Sequence, residues 1–535
     1  MEGPKPCSNG WRWSDWHLLV ILLLGASVLH TVVLLRTEVA ARDSIGFIRY
    51  ALELERQPWA DVLRHSEQHP IYPLLTLLVS IPVRLWQGGL SCDAMVLSAQ
   101  LASILAAVLL VIPMFYVGKT LFDRRVGFWA AALFQFLPAS AHILSDALSE
   151  AVYLLIVTST IYWIMRAFEQ PTWGRFALCG LSGGLAYLTR PEGALLVGAT
   201  VVVILVSPWV AAWRRTWWQS VTAAASVLLA AALVAGPYIA TIGHLTNKPT
   251  PKKILEGGSY YDTSQTRAVP ATPAHSPLFA IWWSKVAERP PWWWGLKAIL
   301  IEVVGAYQYT AALPALFGMI WFWRRLQRNP GVWVLLLLCA MQIAILWRMA
   351  VMMGYVSERH VLLLVLCGVF PAVAMVKMAG ERLAAWRGYG AWVPTLMLTF
   401  LTLFGLPSTL KPLHGNRAGH RAVGEWLAEH AHPHDIIVDP FCWAHFYAGA
   451  VFHERTINPT PPPANYLPFH YVVIEESNNP HSRLPMIPLA KAIAKRGTLA
   501  YQWQSPNPRK KPSVSVYKVP PPLPANPLAE EKKQP

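Results

Sequence analysis

Residues 16–50 read WHLLVILLLGASVLHTVVLLRTEVAARDSIGFIRY, and the fold turns on the first part of that stretch. From Trp16 to Leu35 there is no Asp, Glu, Lys or Arg. About 20 residues at ~1.5 Å each span the ~30 Å apolar core of a bilayer. No small-residue cleavage motif follows, so the run reads as a crossing and not as a removable leader. The first acid beyond it that opens a polar, helix-prone segment is Asp43.

The same pattern recurs along all 535 residues. Further apolar runs lie at about 94–117, 127–141, 148–167, 175–189, 191–209, 219–240, 296–323, 332–350, 360–377 and 389–408. Hydrophobic residues make up 54% of the chain and charged residues only 14%, where a soluble protein carries about 25% charged. The chain therefore reads as a polytopic membrane protein. A formal +16 is dispersed over its loops, with no basic stripe interleaved with aromatics, so no nucleic-acid partner is expected. The 26 tryptophans suit an interfacial belt. Cys7, Cys92, Cys179, Cys339, Cys367 and Cys442 form no C-x-x-C and no zinc spacing, so they read as small packed hydrophobes.

Charge sets the orientation. Basic connectors lie at Lys119–Arg125, Arg166–Arg175, Arg214–Arg215, Arg324–Arg328 and Lys377–Arg387. All five fall on the cytoplasmic side with Lys5 and Arg12 if the stretch 71–87, with Pro73, Pro82 and Arg84, lies in the interface instead of crossing. The expectation is about eleven transmembrane helices, N-terminus inside and C-terminus outside. Residues 1–15 form the cytoplasmic N-terminus and 16–409 the membrane domain, with outer loops at about 36–93 and 241–295. Residues 410–519 read as a small extracytoplasmic α/β domain, from the helix-like HRAVGEWLAEH (420–430), the strand-like IIVDPF (436–441) and YVVIEE (471–476), the helix-like PLAKAIAKR (488–496) and the strand-like VSVYKV (514–519). A disordered tail is expected over 520–535.

Charges next to the spans are costly, so where they gather is informative. Asp43, Asp146, Glu150, Arg190, Glu192, Glu302, Arg348, Glu358 and Arg359 all fall at outer helix ends, not at mid-bilayer. A transporter more often places such groups near the midplane.

Several ordered stretches carry a resemblance. They are ARDSIGFIRYALELERQPW (41–59) with HSEQHPIYPLL (65–75), FDRRVGFWAAALFQFLPASAHILSDALSEAVYLL (122–155), GLAYLTRPEGALL (184–196), NKPTPKK (247–253) and GYVSERHVLLLVLCGVFP (354–371). In order and sidedness they resemble the GT-C glycosyltransferases that use polyprenyl-phosphate sugars, in the branch of protein O-mannosyltransferases and aminoarabinose transferases. The resemblance covers about 15–410 and implies an all-α GT-C fold with a variable C-terminal addition. It implies an inverting transferase that passes a sugar from a polyprenyl-phosphate donor to an acceptor hydroxyl of protein, lipid or glycan. The expected setting is multi-pass in a bacterial inner (plasma) membrane, with membrane lipids as neighbours and the site facing the periplasm or exterior.

Such chemistry asks for a carboxylate to take the hydroxyl proton and cations to hold the phosphate. The resemblance gives the base role to Asp43, whose plainer alternative is to cap a helix running from Ser44 to about Arg56. Arg359 is the first choice for the donor phosphate, because its planar fork holds two oxygens. Arg190, Lys252 and Lys253 are further phosphate candidates, and Tyr50, His69, Asp146, Glu150 and Glu192 are candidate substrate contacts. No cofactor is expected; Ser44 stands where relatives often carry a second acid, which weakens a metal role without excluding a divalent cation. His360 stands where tyrosine is common. The rival readings are a transporter or flippase of lipid-linked sugars, and a non-enzymatic scaffold.

Overall fold

The computed structural model of the protein describes residues 14–213, 215–248, 292–353, 356–432, 435, 437–449, 470–476, 486–507 and 512–520. The described chain begins with α1 (Asp15–Leu35), followed by the shorter helices α2 (Arg42–Arg56), α3 (Trp59–His65) and α4 (Ile71–Gln87). The bundle continues through α5 (Cys92–Leu121), α6 (Arg124–Phe136), α7 (Pro138–Ser145), α8 (Glu150–Glu169), α9 (Trp173–Thr189), α10 (Gly193–Val206) and α11 (Trp217–Ile242). From residue 292 onward come α12 (Trp292–Ala306), α13 (Ala312–Trp321), α14 (Pro330–Met353), α15 (Glu358–Arg387) and α16 (Val393–Leu403).

Local chemistry sets many of these limits. Asp123 caps α6 by accepting from the N–H groups of Arg125 and Val126 at 2.8 and 3.0 Å. Thr216 and Gln219 form a reciprocal capping box at the start of α11. Gly243, at φ 75°, ends that helix in the left-handed region.

Helix underlies all eleven expected spans, but not as eleven straight rods. Among the described residues, six helices are long and apolar enough to cross a membrane, or seven if α6 and α7 count as one bent crossing. That pair bends by 69°, because Pro138 lacks an N–H and drives Leu137 to φ −60°, ψ 130°. The expected continuous span 296–323 is corrected: it breaks between α12 and α13, where Gln308 and Tyr309 take φ 53° and 63°. The Tyr307 hydroxyl is drawn into the bundle, donating to the Val365 carbonyl at 2.9 Å. Helix α4 buries Tyr72, Thr76 and Ser80 and turns Leu78, Ile81, Leu85 and Trp86 outward, an apolar face suited to lipid. The main core joins Leu18, Leu110, Leu133, Val157 and Val369 from five helices.

After α16 the chain forms α17 (Ala418–His430), β1 (Ile437–Val438), α18 (Trp443–Tyr447), β2 (Tyr471–Glu476), α19 (Met486–Ala494), β3 (Thr498–Trp503) and β4 (Ser513–Lys518). The sheet order is β1-β2-β4-β3, with β1 parallel to β2 and the other pairs antiparallel. Val423 and Leu427 of α17 cover Val473, Val514 and Val516 on one face, while Ala490 and Ile493 of α19 cover Val472 and Ile474 on the other. The expected α/β character is borne out, with one strand added. TLAYQW (498–503) is the edge strand β3, with exposed first residues and a register shift at Leu499/Tyr501.

Candidate active site

Five turns bring charged residues together at one end of the bundle. The first is the start of α2. The helix begins at Arg42 with Ala41 in the cap position, and Asp43 lies in its first turn without a capping hydrogen bond. The cap alternative is therefore not what this residue does. Asp43 instead meets Arg359, in the first turn of α15, at 2.5 Å. An arginine at a helix N-terminus faces the unfavourable end of the macrodipole, so its position is explained by an anionic partner and not by helix stability. Nearly half of the Asp43 side chain (45%) remains exposed. The Arg359 guanidinium holds the Asp43 carboxyl below its ordinary value, against an opposing effect of burial.

The second group is centred on Arg190, at the turn from α9 to α10. Its guanidinium donates to Glu150 at 2.6 Å and to Glu192 at 3.4 Å, and lies 5.8 Å from the centre of the Tyr153 ring. The turn is tight: a side chain at Gly193 would put its Cβ 2.1 Å from the Tyr187 nitrogen. Burial opposes ionisation of Glu192, but Arg190 and Lys248 outweigh it and hold the carboxyl at about 2.

Lys248 is the residue the sequence reading missed. It lies just past the stop of α11, inside the NKPTPKK stretch whose Lys252 and Lys253 were singled out; those two lie outside the described residues. Its charge acts on Asp43, Glu192 and His69, and the charges of Glu192, Arg190, Glu150 and Arg359 act on it. Burial pulls its ammonium below the usual lysine value, and Glu192 opposes that shift. No local signal separates Lys248 from Lys252 and Lys253, which share its stretch.

His69 anchors this segment. Its Nδ1 donates to the Tyr187 carbonyl at 2.6 Å, which leaves Nε2 to accept from the Thr246 hydroxyl at 3.1 Å. Burial, helped by Lys248, pushes the ring down to about 4, so it is neutral at pH 7. Asn247 donates to the carbonyls of Leu63 and Ser66, both at 2.8 Å, fixing the same segment to the stretch between α1 and α5.

Asp146 and Glu150 lie on different helices: the first ends α7 and the second begins α8. Asp146 is 2% exposed. Its Oδ1 accepts from the N–H groups of Ala41 at 3.0 Å and Ala147 at 2.8 Å, and its Oδ2 pairs with His414 Nε2 at 2.8 Å. Tyr50 is buried with Leu54 and Val62 in a small core shared by α2 and α3. His360 is used locally, its ring bonding back to Ser357 in a capping box at the start of α15. Among the described residues, no three His, Cys, Asp or Glu side chains gather as a metal-ligand set.

The structure thus unites Asp43, Arg359, Arg190, Glu150, Glu192 and Lys248, with cations and carboxylates alternating at one end of the bundle. Residues 90–238 match the model of a family described as dolichyl-phosphate-mannose-protein mannosyltransferase. Among curated proteins, none matches by sequence. Among solved structures, ArnT from Cupriavidus metallidurans bound to undecaprenyl phosphate is similar over 94% of this chain and 98% of its own, at 12% identity and TM-score 0.55. The archaeal oligosaccharyltransferase AglB from Archaeoglobus fulgidus, in complex with an inhibitory peptide and a dolichol-phosphate, is similar over 96% of this chain and 76% of its own, at 12% identity and TM-score 0.56. At such identity the likeness is one of fold. The chain is a multi-pass membrane protein with the GT-C fold, as the motif order led us to expect.

Proposed function

We propose that the chain is an inverting glycosyltransferase that moves a sugar from a polyprenyl phosphate to an acceptor hydroxyl on the extracytoplasmic side. The observation that carries this reading is the Asp43–Arg359 pair: a half-exposed carboxylate, kept ionised by the partly exposed arginine beside it. The family matched by residues 90–238 and the undecaprenyl phosphate in the ArnT structure support the donor class.

In the reaction, the donor phosphate competes for Arg359 and draws it from Asp43, so the carboxylate gains basicity as the donor arrives. Asp43 then takes the acceptor hydroxyl proton while the acceptor oxygen attacks the anomeric carbon. The bond from that carbon to the phosphate oxygen breaks, and polyprenyl phosphate leaves with the electron pair. Arg359 and Lys248 stabilise the added negative charge on the phosphate. Arg190 is held by two carboxylates, so it orders the Glu150–Glu192 wall more than it binds phosphate. A single displacement inverts the configuration. The setting that fits these parts is a bacterial inner membrane with the site facing the periplasm or exterior.

The test compares surface glycans and glycoproteins by mass spectrometry in cells with and without the chain. Loss of one sugar from a defined acceptor is expected. In parallel, the purified protein receives undecaprenyl-phosphate mannose, chosen from the two likenesses above. Unchanged glycans, together with movement of that lipid across liposomes without any glycosidic bond formed, would overturn the reading in favour of a flippase.

A further inference from the structure

The segment that leads into α2 is gripped, group by group, by the C-terminal domain. The Glu38 N–H donates to the Leu413 carbonyl at 3.1 Å, and the Glu38 carbonyl accepts from Arg421 at 3.4 Å. The Ala40 N–H donates to the Tyr447 hydroxyl at 3.4 Å, and the Ala40 carbonyl accepts from the Trp443 indole N–H at 2.9 Å. The Ala41 N–H goes to Asp146, whose other oxygen is held by His414. Asp43 follows two residues later.

These contacts have an apolar side as well. Val39, Ile45 and Ile48 share a buried cluster with Phe441, Trp443 and Phe446, so α2 and the C-terminal domain have a common core. Backbone geometry points to the same place. Among the described residues, four non-glycine positions have positive φ, and two of them are His414 at 51° and Cys442 at 66°. The first presents its ring to Asp146, and the second sits in the turn that launches Trp443 into the joint. Strained backbone persists where surrounding contacts over-determine it, which here is the seam between the two parts.

We propose that the C-terminal domain is a brace for the catalytic helix start, with Trp443, Tyr447 and Arg421 acting as positioning residues for Asp43. This rests on the reading of Asp43 as the base. The seam fixes the backbone of residues 38–41, hence the direction of α2, and so where the Asp43 carboxylate meets the acceptor oxygen. Misplacement of a reacting group by about 1 Å costs as much as a hundredfold in rate, so a seam of this kind acts on kcat more than on donor capture.

The experiment uses the full-length protein in nanodiscs. Trp443→Phe and Tyr447→Phe, singly and together, remove donor or acceptor atoms and keep aromatic rings. Backbone amide exchange of residues 38–43 is expected to quicken by about tenfold or more in the double variant. With undecaprenyl-phosphate mannose as donor probe, kcat is expected to fall by about tenfold while KM stays within about twofold. Unchanged exchange over 38–43 would overturn the brace, as would faster exchange with unchanged kcat. If the double variant does not fold, Arg421→Ala, a change on a half-exposed donor, is read by the same two measurements. Asp43→Asn keeps the two ideas apart. Turnover by that variant sinks the base assignment, whereas the exchange result decides the brace whether or not the base assignment stands.

Discussion

Asp43 and Asp146 are two aspartates at the same end of the bundle, joined through the short backbone from Ala41, and they are treated in opposite ways. Asp146 is 2% exposed, with two backbone N–H groups on one oxygen and His414 on the other. Asp43 is 45% exposed by side chain and is paired with the Arg359 guanidinium. A buried carboxylate with both oxygens held by the protein is a joint. A half-exposed carboxylate paired with a single guanidinium keeps lone pairs available for chemistry. The difference separates a positioning acid from a reacting one, although the sequence presents both as an acid just beyond a helix.

The largest expected consequence is at Asp43. Asp43→Asn should lower sugar transfer by roughly 10²–10⁴-fold, the usual contribution of a general base, and leave the melting temperature close to wild type. Comparable loss of folding would break the comparison. Asp146→Ala should do the reverse. It strands the Ala41 and Ala147 N–H groups, and about 1–3 kcal/mol of unfolding free energy is expected to go, measured by denaturation in detergent. Preserved stability would show that the joint carries no weight. Arg359→Gln should weaken binding of undecaprenyl phosphate about tenfold, measured by thermophoresis, since a charge-assisted contact is lost. The smallest effect is expected at Lys248→Gln: about threefold to tenfold in the same binding measurement, because its charge is shared among Glu192, Glu150 and Asp43.

Much of this was legible in the sequence. Apolar runs of crossing length, basic connectors on one side and acids on the other placed the bundle and named Asp43, Arg359, Arg190, Glu150 and Glu192 as neighbours in level. Hydropathy has no term for backbone geometry, so it merged α12 and α13 across the left-handed Gln308 and Tyr309 into one span. It also gave no reason to prefer Lys248 over Lys252 and Lys253, since a lysine's role depends on how the loop is tied. Here the ties are His69 to Thr246 and Asn247 to Leu63, contacts between residues 177 and 184 apart in the chain. The pairing of Asp43 with Arg359 spans 316 residues and has no local signal at all. The same is true of the seam between Ala40 and Trp443, 403 residues apart.

The claim that Asp43 works as a base tuned by Arg359 is tested most directly by the pH dependence of kcat/KM. A base must be ionised in the free enzyme, so the acid limb of the profile reports its protonation. Arg359 lowers the Asp43 carboxyl, so wild-type activity should persist below the ordinary aspartate range before it falls. In Arg359→Gln the main cause of the depression is gone, the carboxyl rises, and the acid limb should shift to higher pH. The same acid limb in both proteins would contradict the account.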